Sequence, residues 1–229
     1  MYRIKIERDE LHSRLAGGFP EGTMVLIEGE NGSGKSALIQ RFAYGFLMNG
    51  HTVTIISTEL TVRDFIKQMY SLNYPIASFL LRNRLIFIPV YPIIGNLRDR
   101  RDFLGRLMSS PSLFKTDIII IDTLSALVKA SLHVEERSVQ LLSFFKRLLA
   151  LDRTIILTVE KGAMREEILA PFREAAQIYI ETSINKIGGI VNRVAFIRRF
   201  ANAQGRIDNS IVFRVEAGTG IILEIMAVS

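Results

Sequence analysis

Apolar residues in this chain fall into two rhythms. Short continuous runs at Met24 to Ile27, Thr52 to Ser57, Arg84 to Ile88, Asp117 to Ile121 and Thr154 to Val159 are too brief for helices and lack a polar face. They predict strands of a mostly parallel sheet covered on both sides. Between them lie stretches of helical period. Ala37 to Leu47 puts Leu38, Ile39, Phe42, Ala43, Phe46 and Leu47 on one side, and Asn49-Gly50 ends it. Thr61 to Met69 predicts a helix with Thr61 as N-cap. Pro75 to Leu81, Arg98 to Met108 and Glu135 to Leu149 predict three more, the last turning Leu141, Leu142, Phe145, Leu148 and Leu149 inward. Strands alternating with helices imply right-handed βαβ units.

The ends of the chain differ. Tyr2 to Ile6 predicts a short strand, Asp9 to Leu15 a short helix, and Ala16 to Gly22 a turn cluster. Pro89 to Leu97, with two prolines and a glycine, predicts an irregular loop. Beyond Ala175, Gln177 to Ile184 and Ile190 to Phe200 flank Gly188-Gly189 as a hairpin. Ser210 to Val215 and Ile221 to Met226 form a second, turning at Gly218 and Gly220. The expected fold is therefore α/β, with helices on both faces and antiparallel C-terminal edge strands. No linker, repeat or low-complexity stretch divides it, so residues 1–229 are expected to form one domain.

Composition narrows the chemistry. There is no cysteine, which removes disulfides and thiolate metal sites. His12, His51 and His133 are widely separated and lack metal-ligand spacing. The charged N-terminal residues do not form a signal peptide, and no apolar run approaches membrane-spanning length. A soluble intracellular protein is expected. The net charge of +6 permits nucleic acid, anionic lipid or an acidic protein as partner, and equally a solvated basic surface.

One segment carries specific chemistry. Gly29-Glu30-Asn31-Gly32-Ser33-Gly34-Lys35-Ser36 matches the phosphate-binding loop G-x-x-x-x-G-K-[ST]. It lies between a predicted strand and a predicted helix, the context in which the motif is diagnostic. Glycines allow backbone N–H groups to curl around an anion, and the helix N-terminus adds its positive dipole end. Asn31, Gly32, Ser33, Gly34, Lys35, Ser36 and Ala37 are the candidate nucleotide contacts. Lys35 is placed for the β- and γ-phosphates, and the Ser36 hydroxyl for Mg²⁺. Ile118 to Ile121 leads into Asp122, an apolar strand ending in a carboxylate, which suits a second Mg²⁺ ligand acting through water. ATP and Mg²⁺ are the expected cofactors.

Other residues admit two readings. Glu59, at the end of the second run and expected beside the phosphate-loop strand, suits a group that orients or deprotonates attacking water, or an acid opening the next helix. Glu160 suits a γ-phosphate sensor or a loop acid. Arg198-Arg199 suits an arginine finger reaching a neighbouring subunit, or an edge-strand charge that deters aggregation. The Val215-Glu216 turn is a candidate adenine contact.

In this order the motifs resemble the RecA-like ATPases of the KaiC type. Gly17-Gly18-Phe19-Pro20 and Gly22, ahead of Leu26-Ile27-Glu28-Gly29, resemble that family's lead-in segment. Within it the chain is most similar to the archaellum accessory ATP-binding family, FlaH or ArlH. Ile56-Ser57-Thr58-Glu59-Leu60-Thr61 with Asp64 to Met69, Phe87 to Pro92, Ile120 to Leu127 and Phe213-Arg214-Val215-Glu216 carry that similarity, which spans nearly the whole chain. The resemblance implies a RecA-like core and a cytoplasmic protein at the membrane-bound archaellum motor. It further implies a nucleotide-dependent homo-oligomer, most simply a hexamer, with the motor ATPase FlaI and a scaffold such as FlaX as partners. Two departures qualify it. KaiC-type ATPases carry paired glutamates, and here Leu60 follows Glu59; they also present two cations across the subunit boundary, and here Phe200 stands where the second would follow Arg198. Both changes imply an ATP-dependent switch with slow or absent hydrolysis.

Two other readings fit the same motifs: a KaiC-like ATPase or autokinase, and a RecA-paralogue DNA-repair ATPase. The stretch Lys161 to Glu174, expected as a short loop of mixed charge, disfavours a nucleic-acid track. So do the arginines at 98, 100 and 101, broken by Asp99 and Asp102. No specific nucleic-acid binding is expected.

Overall fold

A computed structural model describes residues 1–90, 103–129, 134–187 and 190–224. The elements run β1 (Tyr2–Arg3), α1 (Leu11–Arg14), β2 (Gly18–Phe19), β3 (Met24–Gly29), α2 (Lys35–Met48), β4 (Val53–Ser57), α3 (Val62–Ser71), α4 (Ala77–Leu81) and β5 (Leu85–Pro89). They continue with α5 (Phe103–Met108), a 3-10 turn (Pro111–Phe114), β6 (Ile118–Asp122), α6 (Leu124–Lys129), α7 (Val134–Leu149) and β7 (Thr154–Glu160). The last are α8 (Glu166–Ala175), β8 (Ile178–Ile187), β9 (Ile190–Phe200), β10 (Ser210–Glu216) and β11 (Gly220–Glu224). The predicted loop from Pro89 to Leu97 lies mostly outside the described residues, as do the first turns of the predicted Arg98 helix, the Gly188-Gly189 turn and the chain beyond Glu224.

Nine strands form one sheet in the order β11-β10-β9-β8-β3-β7-β6-β4-β5. Strands β8, β3, β7, β6, β4 and β5 run parallel, while β9, β10 and β11 add antiparallel at one edge. Pleating explains the uninterrupted apolar runs. Val25, Ile27, Ile118, Ile120 and Ile156 enter the core beneath α2, while Met24, Leu26, Ile119, Ile121, Ile155 and Leu157 enter a second core with α7 and α8. Such strands need apolar residues at every position.

Two expectations require correction. The strand before Glu59, β4, does not neighbour the phosphate-loop strand β3, because β7 and β6 lie between them. The stretch Lys161 to Glu174 is also not simply a loop. Most of it is α8, which forms despite an internal proline, Pro171, because Ile168, Leu169 and Phe172 bury one face against the sheet. Elsewhere the predicted elements recur within a few residues. Thr61 caps α3 by accepting a hydrogen bond from the Asp64 amide at 3.1 Å.

The helix behind the phosphate loop is anchored from within. Arg41 of α2 is fully buried and meets buried Asp9 through two bonds of 2.6 Å, and its third nitrogen donates to the Ile4 carbonyl at 3.0 Å. One turn on, Gly45 leaves room for this arrangement: a Cβ there would come within 2.6 Å of Arg41 Nη1 and the Ile4 oxygen.

Candidate nucleotide site

The phosphate loop leaves β3 at the centre of the sheet and enters α2. Its turn depends on left-handed backbone at Gly32 (φ 77°) and Gly34 (φ 92°). Gly34 is needed for a second reason: a Cβ there would lie 2.7 Å from Arg193 Cδ and 2.8 Å from the Phe213 ring. The edge strands β9 and β10 therefore close directly over the loop. Ser33 turns inward and shares a 2.7 Å hydrogen bond with the Thr182 hydroxyl, so its side chain anchors the loop and not a ligand.

A cavity of 430 Å³ opens above the loop, lined by Asn31, Gly32, Gly34, Lys35, Ser36, Ala37, Glu59, Thr123, Glu160, Arg193 and Val215. Lys35 folds back over the loop, donating to the carbonyls of Gly29 at 2.9 Å and Glu30 at 2.8 Å. Burial lowers its pKa, against the pull of Glu160, Asp122, Glu59 and Glu30. A phosphate entering the cradle would offer that ammonium a stronger, charged acceptor than two carbonyls.

The Ser36 hydroxyl donates to Asp122 Oδ1 at 3.3 Å, and Thr158 donates to the same oxygen at 2.9 Å. Burial pushes the Asp122 carboxyl up to about 6. This hydroxyl and carboxylate, side by side at the end of β6, fit a hard cation. Among the described residues no three His, Cys, Asp or Glu side chains gather as a metal cluster. Mg²⁺ in such a site needs none, because it takes one or two protein ligands and completes its shell with phosphate and water.

Glu59 reaches the same cavity from the far side of β6. Its Oε1 accepts from the Thr123 hydroxyl at 2.9 Å, and the side chain is exposed to the cavity mouth. Glu160, at the end of β7, also lines the cavity. The other two candidates stand apart from this chain's own cavity. Arg198 is unpaired in the β8–β9 register, where Tyr179 faces Arg199 and Ile180 faces Ile197, and such a bulge re-aims a side chain. It donates to Glu181 at 2.6 Å and lies half exposed over the Phe196 ring. Glu216 accepts from Arg214 at 2.6 Å, while its neighbour Val215 lines the cavity.

Arg193 and Thr123 were not among the candidates read from the sequence. Arg193 Nε donates to the Gly32 carbonyl at 3.0 Å, so this hairpin arginine sits on the phosphate loop itself. Period-two alternation separates Arg193 from Arg198 onto opposite faces, a signal present in the sequence once the hairpin is placed.

Sheet order, phosphate loop and paired Ser36–Asp122 together define a RecA-like P-loop ATPase core. Comparisons with known proteins agree. The family model for the KaiC ATPase matches residues 5–219. An archaeal flagellar ATP-binding protein FlaH from Methanocaldococcus jannaschii is 43% identical over 227 residues, covering 99% of this chain and 97% of the relative. The FlaH of Methanococcus voltae is 37% identical over 99% of this chain and 98% of its own. A crystal structure of the flagellar accessory protein FlaH from M. jannaschii superposes with a TM-score of 0.91 at 41% identity, over 99% of this chain and 100% of that one. A KaiC-like protein of Pyrococcus horikoshii OT3 shares the fold, with a TM-score of 0.76 at 21% identity over 97% and 99% of the two chains. This chain belongs to the KaiC family of ATPases and, within it, to the FlaH group of archaeal flagellar ATP-binding proteins.

Proposed function

We infer that this chain binds ATP with Mg²⁺ and uses nucleotide state to control its own assembly and docking at the archaellum motor. The observation that carries this is the phosphate loop with Lys35 held over it beside the Ser36–Asp122 pair, which sets an anion cradle next to a hydroxyl and a carboxylate suited to a hard cation. When bound, Mg²⁺ would neutralise the triphosphate between Ser36 and Asp122. Lys35 and the loop amides would hold the phosphates, Arg193 steadies Gly32, and Glu59, lining the same cavity, would orient the water that attacks the γ-phosphate.

Hydrolysis is slow in this reading. Leu60 offers no second carboxylate, and Phe200 no second cation. Arg198, aimed away from this chain's own cavity, suits a contact with the nucleotide of an adjoining copy. Assembly into a ring, most simply a hexamer, then depends on a nucleotide at the seam whose phosphates compete with Glu181 for the arginine. The family supports FlaI and a scaffold such as FlaX as partners at the cytoplasmic face of the membrane. Consistent with attachment through partners, no helix among the described residues is long and apolar enough to cross a membrane.

Light scattering with and without ATP–Mg²⁺ tests the assembly claim. The expected result is a nucleotide-promoted oligomer that Arg198→Ala weakens. Monomer alone at saturating ATP–Mg²⁺ contradicts it.

A further inference from the structure

Thr123 follows Asp122 and has a φ of 65°. A β-branched residue rarely adopts left-handed backbone, and such outliers collect where function requires them. Two contacts hold it there. Its amide donates to the Thr158 hydroxyl at 2.7 Å, and its own hydroxyl donates to Glu59 Oε1 at 2.9 Å. Thr158 is fully buried and passes its proton-bearing side to Asp122 at 2.9 Å. One chain of hydrogen bonds thus runs from Asp122 through Thr158 and Thr123 to Glu59. These residues come from three strand ends, β4, β6 and β7, and Thr123 itself lines the cavity.

Glycine or asparagine would occupy this backbone with less strain. The feature that threonine adds is a hydroxyl aimed at Glu59. We propose that Thr123 is a positioning residue that fixes the Glu59 carboxylate relative to Asp122, so that the water-facing acid and the cation ligand keep one geometry. The proposal rests on the ATP-binding reading above and concerns the hydrolytic step. In that step water oxygen bonds the γ-phosphorus, the bond to the β,γ-bridging oxygen breaks, and Glu59 receives the water proton as ADP and phosphate form. Thr123 holds one carboxylate oxygen, and among the described residues nothing else bonds that carboxylate through its side chain. A free carboxylate would sample several rotamers, and few would face the water.

Single-turnover hydrolysis and ATP–Mg²⁺ calorimetry test this in Thr123→Val, Thr123→Ser and Thr123→Gly. Valine keeps the branched shape and loses the hydroxyl. Its hydrolysis rate is expected to fall about tenfold with Kd changed less than about twofold, since misplacing a reacting group acts on rate before binding. Serine restores the rate. Glycine relieves the backbone, melts higher than wild type and is as slow as valine, which keeps the test open if valine fails to fold. In a Glu59→Gln background, valine adds no further loss. A valine penalty that persists there, a serine variant as slow as valine, or a wild type that binds ATP without any turnover overturns the proposal. A wild type that fails to bind ATP overturns the nucleotide reading itself.

Discussion

Removing the carboxylate of Asp9 should unseat the helix that carries Lys35 and Ser36. In the native fold Asp9 accepts twice from Arg41 at 2.6 Å and once from the Leu11 amide at 3.0 Å. The side chains of Arg41 and Asp9 are 0% and 4% exposed, which places the pair among buried ion pairs. An exposed pair contributes ~0–1 kcal/mol, whereas deleting one partner of a buried pair costs ~3–5 kcal/mol because a charge is left unpaired in the core. The guanidinium keeps only its bond to the Ile4 carbonyl, which is too little to solvate it. Asp9→Ala should therefore lose about 4 kcal/mol in urea unfolding. For a chain of this size that corresponds to a drop in Tm of about 8–16 °C. Replacing both partners together, as Asp9→Leu with Arg41→Met, should recover most of the loss, since no charge remains to be desolvated. A single Asp9→Ala variant within ~1 kcal/mol of wild type would mean that water or another group satisfies Arg41 and that the ion pair does not anchor the helix.

Three further outcomes are expected. Gly34→Ala should abolish nucleotide binding and destabilise the fold by about 1–3 kcal/mol, because it strains φ and meets Arg193 and Phe213; near-native affinity contradicts this. Mg²⁺ affinity should decline with acidity: Asp122 titrates near 6, so its ionised, metal-binding form predominates at pH 7 and is a minority at pH 5. That predicts roughly tenfold weaker apparent Mg²⁺ binding at pH 5 after correction for the titration of ATP itself, and a flat profile contradicts it. The same burial raises the folded pKa above that of the unfolded chain, so this group's contribution to fold stability improves as pH falls through 6, opposite to its effect on metal binding. Finally, mobility shift near physiological ionic strength should show no tight DNA binding, since Arg165 and Arg173 of the α8 region are already paired with Glu135, Glu28 and Glu166; tight, length-dependent binding there favours the recombinase-like alternative.

Much of this architecture is legible in the sequence because fully buried parallel strands and amphipathic helices leave different apolar rhythms. The phosphate loop is legible for a stronger reason, since its backbone geometry restricts which residues can serve. The rest depends on three-dimensional order. Nothing in the run around Glu59 shows that β6 and β7 intervene before β3. Helix α8 was disguised by Pro171 and its mixed charges, and only burial of Ile168, Leu169 and Phe172 decides for it. Arg193 and Arg198 look equivalent until the hairpin is placed, when alternation sets one on the phosphate loop and the other on the opposite face, beside Glu181. Thr123 carries no local sign of its role, because the residues that hold it, Thr158 and Glu59, are distant in sequence.

Everything proposed for this chain depends on Lys35 and its loop forming a working phosphate cradle. The decisive measurement is calorimetric titration of wild type and Lys35→Ala with ATP–Mg²⁺. Each charge-assisted contact from Lys35 contributes about 1.5–3 kcal/mol, so wild type should bind saturably and the variant should lose at least tenfold in affinity, with both melting as folded proteins. Equal affinity in the two, or no binding by a folded wild type, would contradict it.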